Sequence, residues 1–403
     1  MTRLISLQRL GDHIDLLGGG TPSKEVDDFW GGSIPWATVK DLKHDILENT
    51  VDRISQLGLD NSSSKLVRSG SILIATRMAV GRVVMAGVDV AINQDLKAIT
   101  CDDNIDTKFL YYFLQSQNNY FNRMSSGATV KGIKVAHIMD LEIPLPPLAE
   151  QKKIAAILDA ADQLRQKDQQ LIDHYTALSQ SLFLEMFGDP VTNPMGWEKM
   201  SIDAAIKADL ISELQDGNHG EKHPKVSDFG VEGIPFIMAN CFTDNELNIL
   251  KAYKLAESWK DRLRIGFAQA GDVLLSHKGT VGEVAIVPSC LDLVILSPQV
   301  TYYRTSKLLN AQFLAGQFSN NVFQQRLRHE AKQSTRAYIG ITRQKQLSII
   351  IPELSVQKIY ANQISKIKSQ IKIAKLNLEK SNNLFESLLQ KAFKGELTSR
   401  KAA

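Results

Sequence analysis

After two prolines, Pro146 and Pro147, the chain runs to Phe187 without another proline or glycine, in residues that are mostly good helix formers. Apolar residues recur as Ile154, Ala161, Tyr175 and Leu182 in one column and as Ile157, Leu164, Leu171 and Leu178 in a second. This alternating 3/4 spacing predicts a coiled-coil seam. At 1.5 Å per residue the helix would be roughly 55–60 Å long, too long for an ordinary core helix. Asp168 falls on the first column, where a polar group lowers stability and can fix register. A kink or opening of the helix at that point is the alternative.

The same stretch returns between Pro352 and Phe393 at a constant offset of 206 residues. Identities lie at both ends: Pro146/Pro352, Leu148/Leu354, Gln151/Gln357, Lys152/Lys358 and Ala155/Ala361, then Leu178/Leu384, Ser181/Ser387, Leu182/Leu388 and Phe187/Phe393. The middle has drifted, yet its apolar period survives as Tyr360, Ile364, Ile367, Ile371, Ala374, Leu378, Phe385 and Leu388. A long helix must bury such a stripe, and its own copy is the nearest partner. Two helices pairing as an antiparallel coiled coil is the expectation.

Between the helices the pattern changes to short β-like runs. Ile34–Val39, Ser69–Ala75 and Arg82–Ala86 read as strands and Lys108–Met124 as a helix with an aromatic face. Thr129–Leu145 reads as short β-like runs. Residues 197–351 repeat this plan: Gly233-Ile234-Pro235-Phe236 answers Ser33-Ile34-Pro35-Trp36, Gly282 answers Gly81, and Asn310–Arg328 answers the aromatic helix. The linker Gly188–Glu198, with two prolines and two glycines, marks a domain boundary. The expected architecture is α+β: two mixed α/β globular domains, residues 1–145 and 191–351, separated by long helices in residues 146–190 and 352–403. The whole is a tandem pseudo-repeat, its scaffold signals shared and its intervening surfaces divergent.

Composition changes the picture little. The chain has 403 residues, a net charge of +3 and three cysteines, Cys101, Cys241 and Cys290, whose odd number and wide spacing suit buried thiols in a reducing cytoplasm. No run of 18 apolar residues and no signal-peptide core is present. Residues 352–403 carry 10 basic and 4 acidic side chains, whereas residues 1–145 carry 15 and 17. No domain announces nucleic acid by charge alone. No phosphate loop, dinucleotide fingerprint, Cys/His cluster or catalytic triad stands out, and His219 and His223 lack further metal ligands nearby. The pattern is that of a binding protein.

The two long-helix repeats, with the Leu145-Pro146-Pro147-Leu148-Ala149-Glu150-Gln151-Lys152-Lys153-Ile154 opening and the Phe187-Gly188-Asp189-Pro190 linker, resemble the specificity subunit of type I restriction–modification systems. The second copy departs at Glu353, Ser355, Val356 and Tyr360. The resemblance covers essentially the whole chain. It implies that each globular domain is a target recognition domain reading one half of a bipartite, asymmetric double-stranded DNA site. It also implies that the long helices set the distance between the halves and dock two methyltransferase subunits. Those subunits would use S-adenosylmethionine to methylate adenine, and restriction subunits would join them. No cofactor and no catalysis are expected in this chain itself, and its expected location is cytoplasmic. A coiled-coil adaptor with two protein-binding domains is the competing reading, and salt dependence of binding separates the two.

On that reading base edges call for Arg, Lys, Asn, Gln and apolar contacts, and phosphates for Lys, Arg, Ser and Thr. The candidates in the first domain are Thr76, Arg77 and Arg82 after the buried strand, Lys131 and Lys134, and Thr21, Ser23 and Lys24 in the glycine-rich loop. Asn93 and Gln94 either pair with adenine or cap the turn before Asp95. In the second domain the candidates are His277, Lys278 and Thr280, then Thr335, Arg336 and Arg343. Each could instead be solvated or paired with a carboxylate. The candidate docking residues are the repeat ends: Gln151, Lys152, Ala155, Leu178, Ser181, Leu182 and Phe187, with Gln357, Lys358, Ala361, Leu384, Ser387, Leu388 and Phe393. The alternative is that these positions close the helices onto the globular domains. The run Lys366, Lys368, Lys372, Lys375 and Lys380 either lies over phosphates or faces Asp159, Asp162, Asp168 and Asp173 of the first helix.

Overall fold

The computed structural model describes residues 6–127, 131–218, 223–331 and 337–397. Contacts divide the chain into two units, residues 1–169 with 376–403 and residues 170–375, so each unit holds half of both long helices. Those helices are unbroken over Leu148–Phe187 and Leu354–Phe393. The first stops where Gly188 takes a φ of +72°, the left-handed position that a side chain resists and glycine accepts. Among the described residues no helix is long and apolar enough to cross a membrane.

Among the described residues the first unit contains two larger sheets and a two-stranded one that pairs Leu7–Arg9 with Glu142–Pro144. One orders the strands Ile14–Gly18, Leu96–Cys101, Ile72–Ala75, Val83–Ala86 and Ile46–Leu47. The other orders Asp52–Ile54, Trp30–Ala37, Val90–Ile92 and Lys65–Val67, with a parallel pair at Trp36/Ala91 and Ala37/Ile92. The second unit repeats both. One sheet orders Ile211–Asp216, Val300–Thr305, Val273–Ser276 and Val284–Ile286. The other includes Tyr253–Leu255, Ile234–Ile237, Leu293–Leu296 and Phe267–Gln269, again with a parallel pair, at Phe236/Ile295 and Ile237/Leu296. The duplication read from short motifs thus extends to strand order and direction.

Two expectations about the globular domains need correction. The aromatic helix is a broken pair in both copies: Thr107–Ser116 then Asn118–Met124, and Ala311–Ser319 then Asn321–Ala331. In the second copy Asn320 is extended and its side chain accepts the N–H of Val322, which starts the next helix. The stretch before the prolines is largely not β: it holds the short helix Ala136–Met139 and one strand, Glu142–Pro144.

The helices pack antiparallel within each unit. In the first, Ile154, Ala155, Leu158 and Ala161 share a core with Phe385, Leu388, Leu389 and Ala392. In the second, Leu182, Phe183, Met186 and Phe187 share one with Val356, Tyr360 and Ile364. The inward positions of the C-terminal helix are those expected, with Ser381 filling the gap in the period. On the central helix only one of the two expected columns faces in. Ile154, Ala161, Asp168, Tyr175 and Leu182 are buried or half-buried, but their partners in the seam are Leu158, Arg165, Ile172, Ser179 and Met186. The column Ile157, Leu164, Leu171 and Leu178 is exposed. Shifting Ile364, Ile371, Leu378 and Phe385 back by 206 residues lands on Leu158, Arg165, Ile172 and Ser179, so the second copy carried the correct register.

Three of the four aspartates of the central helix take partners outside the lysine run. Asp159 takes Lys108 and the Tyr112 hydroxyl, Asp162 takes Arg165, and Asp168 takes Ser381, while Lys375 pairs with Asp244. Burial pushes the Asp162 carboxyl above its usual range, against the pull of Arg165.

Candidate nucleic-acid interface

In the first unit the strand Ile72–Ala75 is fully buried and ejects the chain into a loop at Thr76. Thr76 itself stays inside: its N–H and its hydroxyl both donate to the carbonyl of Asp95, at 2.8 and 3.0 Å. Arg77 is exposed, 3.9 Å from the Asp95 carboxylate, and bridges to Gly132 on the neighbouring loop. The N–H of Met78 donates to the carbonyl of Lys131 at 3.2 Å. Lys131 and Lys134 are both exposed. Arg77, Met78, Asp95, Ser126, Gly132, Ile133 and Lys134 line a concavity of about 500 Å³.

Arg82 does not join them. It donates to the carbonyl of Leu42 at 3.2 Å and lies 3.0 Å from Asp45, a structural tie between segments. The turn that follows Ile92 carries Asn93, Gln94 and Asp95. Asn93 is buried and accepts the Asp95 N–H, so it caps the turn. Gln94 is exposed, and its side-chain oxygen accepts the hydroxyl of Thr21 at 2.6 Å. Thr21, Lys24, Lys40, Trp30 and Gln94 line a second concavity, of about 680 Å³, floored by the edge-to-face rings of Trp30 and Trp36. Ser23 is exposed beside it and its carbonyl accepts the Trp30 indole N–H. The Asn93–Asp95 turn contributes to both concavities, Gln94 to one and Asp95 to the other.

The second unit builds the same loop with other residues. The N–H of His277 donates to the carbonyl of Gln299 at 2.8 Å, and Lys278 bridges to Tyr338. Lys278 and Thr280 are exposed. His277 is fully buried, and its assignment to DNA is corrected: Nε2 faces the carbonyl of Pro298 at 3.1 Å, and Nδ1 lies 2.5 Å from the Thr301 hydroxyl. That hydroxyl donates to Asp216, and the Gln344 amide donates to Thr301 and to the carbonyl of Ile339, closing a network inside the unit. Thr76, buried likewise, is the matching correction in the first unit. Arg343 is exposed and donates to the carbonyl of Glu330 at 3.3 Å. Thr335, Arg336 and His219 lie outside the described residues.

The repeat-end residues divide by burial. Gln151 is 1% exposed, and its amide accepts the N–H of Asp106 while donating to the carbonyls of Asn104 and Pro146. Gln357, 0% exposed, accepts the N–H of Asn310 and donates to the carbonyl of Pro352. Both tie the start of a long helix to the N-cap of the aromatic helix. Ala155 and Phe187 are buried, and Leu182, Leu388 and Phe393 pack on the cores. Ala361 is half-buried. Phe187 stacks edge-on against Phe313 at 4.8 Å, as Phe393 lies against Phe109 at 5.2 Å. Gln151, Gln357, Ala155 and Phe187 therefore close the helices onto the globular parts and present no side chain to a partner. Lys152, Lys358, Ser181, Ser387, Leu178 and Leu384 are exposed, the last two by 46% each.

Sequence reasoning missed Met78 and Lys40. Neither carries a motif, and only the folded loops place them beside Arg77 and Lys24. Among the described residues no group of His, Cys, Asp and Glu could hold a metal ion.

The model of the type I restriction modification DNA specificity domain matches residues 6–173 and 211–381. The MjaIX specificity subunit of Methanocaldococcus jannaschii is 27% identical over 223 residues, 50% of this chain and 52% of that protein. The EcoR124I/EcoR124II specificity subunit of Escherichia coli is 33% identical over 40% of this chain and 41% of its own length. The matches therefore span about half the length of these two relatives. The MjaVIII specificity subunit, also of M. jannaschii, is 21% identical but matches over 94% of this chain and 91% of its own. In three dimensions, the S subunit of a type I restriction–modification system from M. genitalium covers 98% of this chain and 97% of its own, with a TM-score of 0.62 at 14% identity, a likeness of fold. With both of its copies matched by one family model, the chain belongs to the type I restriction–modification DNA specificity domain family.

Proposed function

We propose that this chain is the DNA sequence-specificity subunit of a type I restriction–modification system. Each globular domain reads one half of a bipartite, asymmetric site in double-stranded DNA. The chain carries no catalytic group of its own: methyltransferase subunits, two per chain, bring S-adenosylmethionine and modify adenine, and restriction subunits join the same cytoplasmic complex.

The observation that carries this reading is the duplicated loop frame. Arg77 and Lys278 sit at the same bridge in two copies of one scaffold, yet the side chains around them differ. A shared frame with unlike tips is what two different half-sites require. The cations suit phosphate and guanine contacts, and Gln94, its amide oriented by Thr21, suits adenine. The candidate readers are thus Arg77, Lys131, Lys134, Thr21, Ser23, Lys24 and Gln94 in the first domain, and Lys278, Thr280 and Arg343 in the second.

Methyltransferase docking is assigned to the apolar side chains that the helices leave in solvent. In the first unit these include Ile157, Leu164, Leu376 and Leu384, and in the second Leu171, Leu178, Ile359 and Ile373. An apolar row on an otherwise polar helix face marks an association surface.

Co-expression with the cognate methyltransferase, followed by sequencing of methylated adenines in host DNA, tests the reading. Methylation confined to one split motif is expected, and replacing residues 197–351 with those of a relative should change one half only. A co-purified complex that adds no methylation would sink the proposal.

A further inference from the structure

We propose that Met78 is a base-reading residue of the first globular domain, its thioether chain packing on the 5-methyl group of a thymine in the major groove. The proposal rests on the reading of this domain as a DNA-recognition domain.

The backbone is the first observation. Met78 has a φ of +63°, in the left-handed region that a long side chain disfavours. The loop imposes this. Its frame is the same in both copies: Thr76 and His277 donate to Asp95 and Gln299, both at 2.8 Å, Ile133 and Ile339 donate to Thr76 and His277 at 2.9 and 3.0 Å, and Gly81 and Gly282 close it at 3.0 and 2.9 Å. In the second copy the residue corresponding to Met78 is Gly279, with a φ of +81°, which glycine adopts freely. The first copy keeps a strained methionine where the same frame is satisfied by glycine. Strain of this kind collects at functional sites.

The side chain is the second observation. Met78 is 72% exposed and belongs to none of the hydrophobic cores, so packing does not explain it. It is held in place all the same, because its N–H is tied to the carbonyl of Lys131. Its setting is the third. Arg77, Lys134 and Asp95 line the same concavity, so a flexible apolar chain shares it with two cations and a carboxylate. The cations suit a phosphate backbone or a guanine edge. The feature of a base edge that fits the thioether is the thymine methyl, an apolar group that only an A·T pair presents in the major groove.

The test uses the complex with the methyltransferase. The half-site read by the first domain is found by methylation sequencing, and each thymine in it, on either strand, is replaced by uracil, which lacks the methyl group. One replacement should weaken binding by the wild type roughly fourfold, the factor equivalent to about 0.8 kcal/mol for one buried carbon. Met78→Gly should weaken binding to the thymine duplex by a similar factor, lose sensitivity to uracil at that position, and relax the methylated motif there, while its Tm stays level or rises. Met78→Leu, which keeps an apolar chain, should retain the thymine preference. A half-site without thymine, a wild type indifferent to every uracil, or a Met78→Gly protein with the same uracil sensitivity overturns the assignment and leaves the functional reading standing. A wild-type complex that methylates no split motif overturns both.

Discussion

The hydroxyl of Ser381 donates to the carboxylate of Asp168 at 2.8 Å, and both residues are buried in the helix seam of the first unit. The positions that correspond to them at the 206-residue offset are Tyr175 and Ala374, so the second unit has no such pair. Two similar helices could pair in shifted registers, and a polar contact present in one half only discriminates among them. Ser381→Ala should cost about 1–3 kcal/mol, because it strands a buried acceptor. Asp168→Ala together with Ser381→Ala should recover much of that loss. Chemical denaturation of the two single variants and the double variant checks this. Additive losses would mean that the pair is not coupled.

The buried glutamines and the exposed leucines should separate stability from assembly. Gln151→Ala and Gln357→Ala each remove hydrogen bonds to buried backbone groups and should lower stability by roughly 1–3 kcal/mol. Leu178→Glu and Leu384→Glu alter exposed positions and should leave the Tm nearly unchanged while reducing co-purification of the methyltransferase. Thermal unfolding and pull-down on the same four proteins measure both effects. Loss of assembly in the glutamine variants at full stability would reverse the assignment.

Arg77→Ala and Lys278→Ala should act on different halves of the motif. Each removes one cation near DNA, so the slope of log K against log salt should fall by about 1 if the lost contact is to phosphate. If the lost contact is to a base edge, the methylated motif should degenerate at one position at a cost of about 1–3 kcal/mol. Filter binding over a salt series, paired with methylation sequencing, reports both. A change in the same half of the motif by both variants contradicts one domain per half-site.

The Asp162 carboxyl gives a pH test with a definite sign. Burial raises its folded-state pKa above the ordinary value of 3.8, so the native chain holds the proton more tightly than the unfolded chain. The associated stability is complete below 3.8 and is lost as pH rises through the raised value. Asp162→Asn removes this titration. Its stability relative to the wild type should therefore improve as pH increases across that window, by Tm measured at each pH. A constant difference would show that Arg165 and Gln166 hold the carboxylate fully charged.

The sequence by itself determined the duplication, the two 40-residue helices, their antiparallel pairing and the family. These are properties of period and repetition, and they survive drift in individual residues. It did not determine which side of the central helix faces in. Ile157-Leu164-Leu171-Leu178 and Leu158-Arg165-Ile172-Ser179 both continue a 3/4 seam from Ile154, one residue apart. The more apolar of the two is the one left in solvent, because the aromatic helices and the C-terminal helix occupy the other side. The loops were legible as places and not as surfaces. Thr76 and His277 follow buried strands as expected, but hydrogen bonds to Asp95, and to Thr301 and Pro298, turn them inward. Arg77, Met78 and Lys278 point out from the same loops. That choice rests on partners 19 to 60 residues away in sequence, which no local pattern contains.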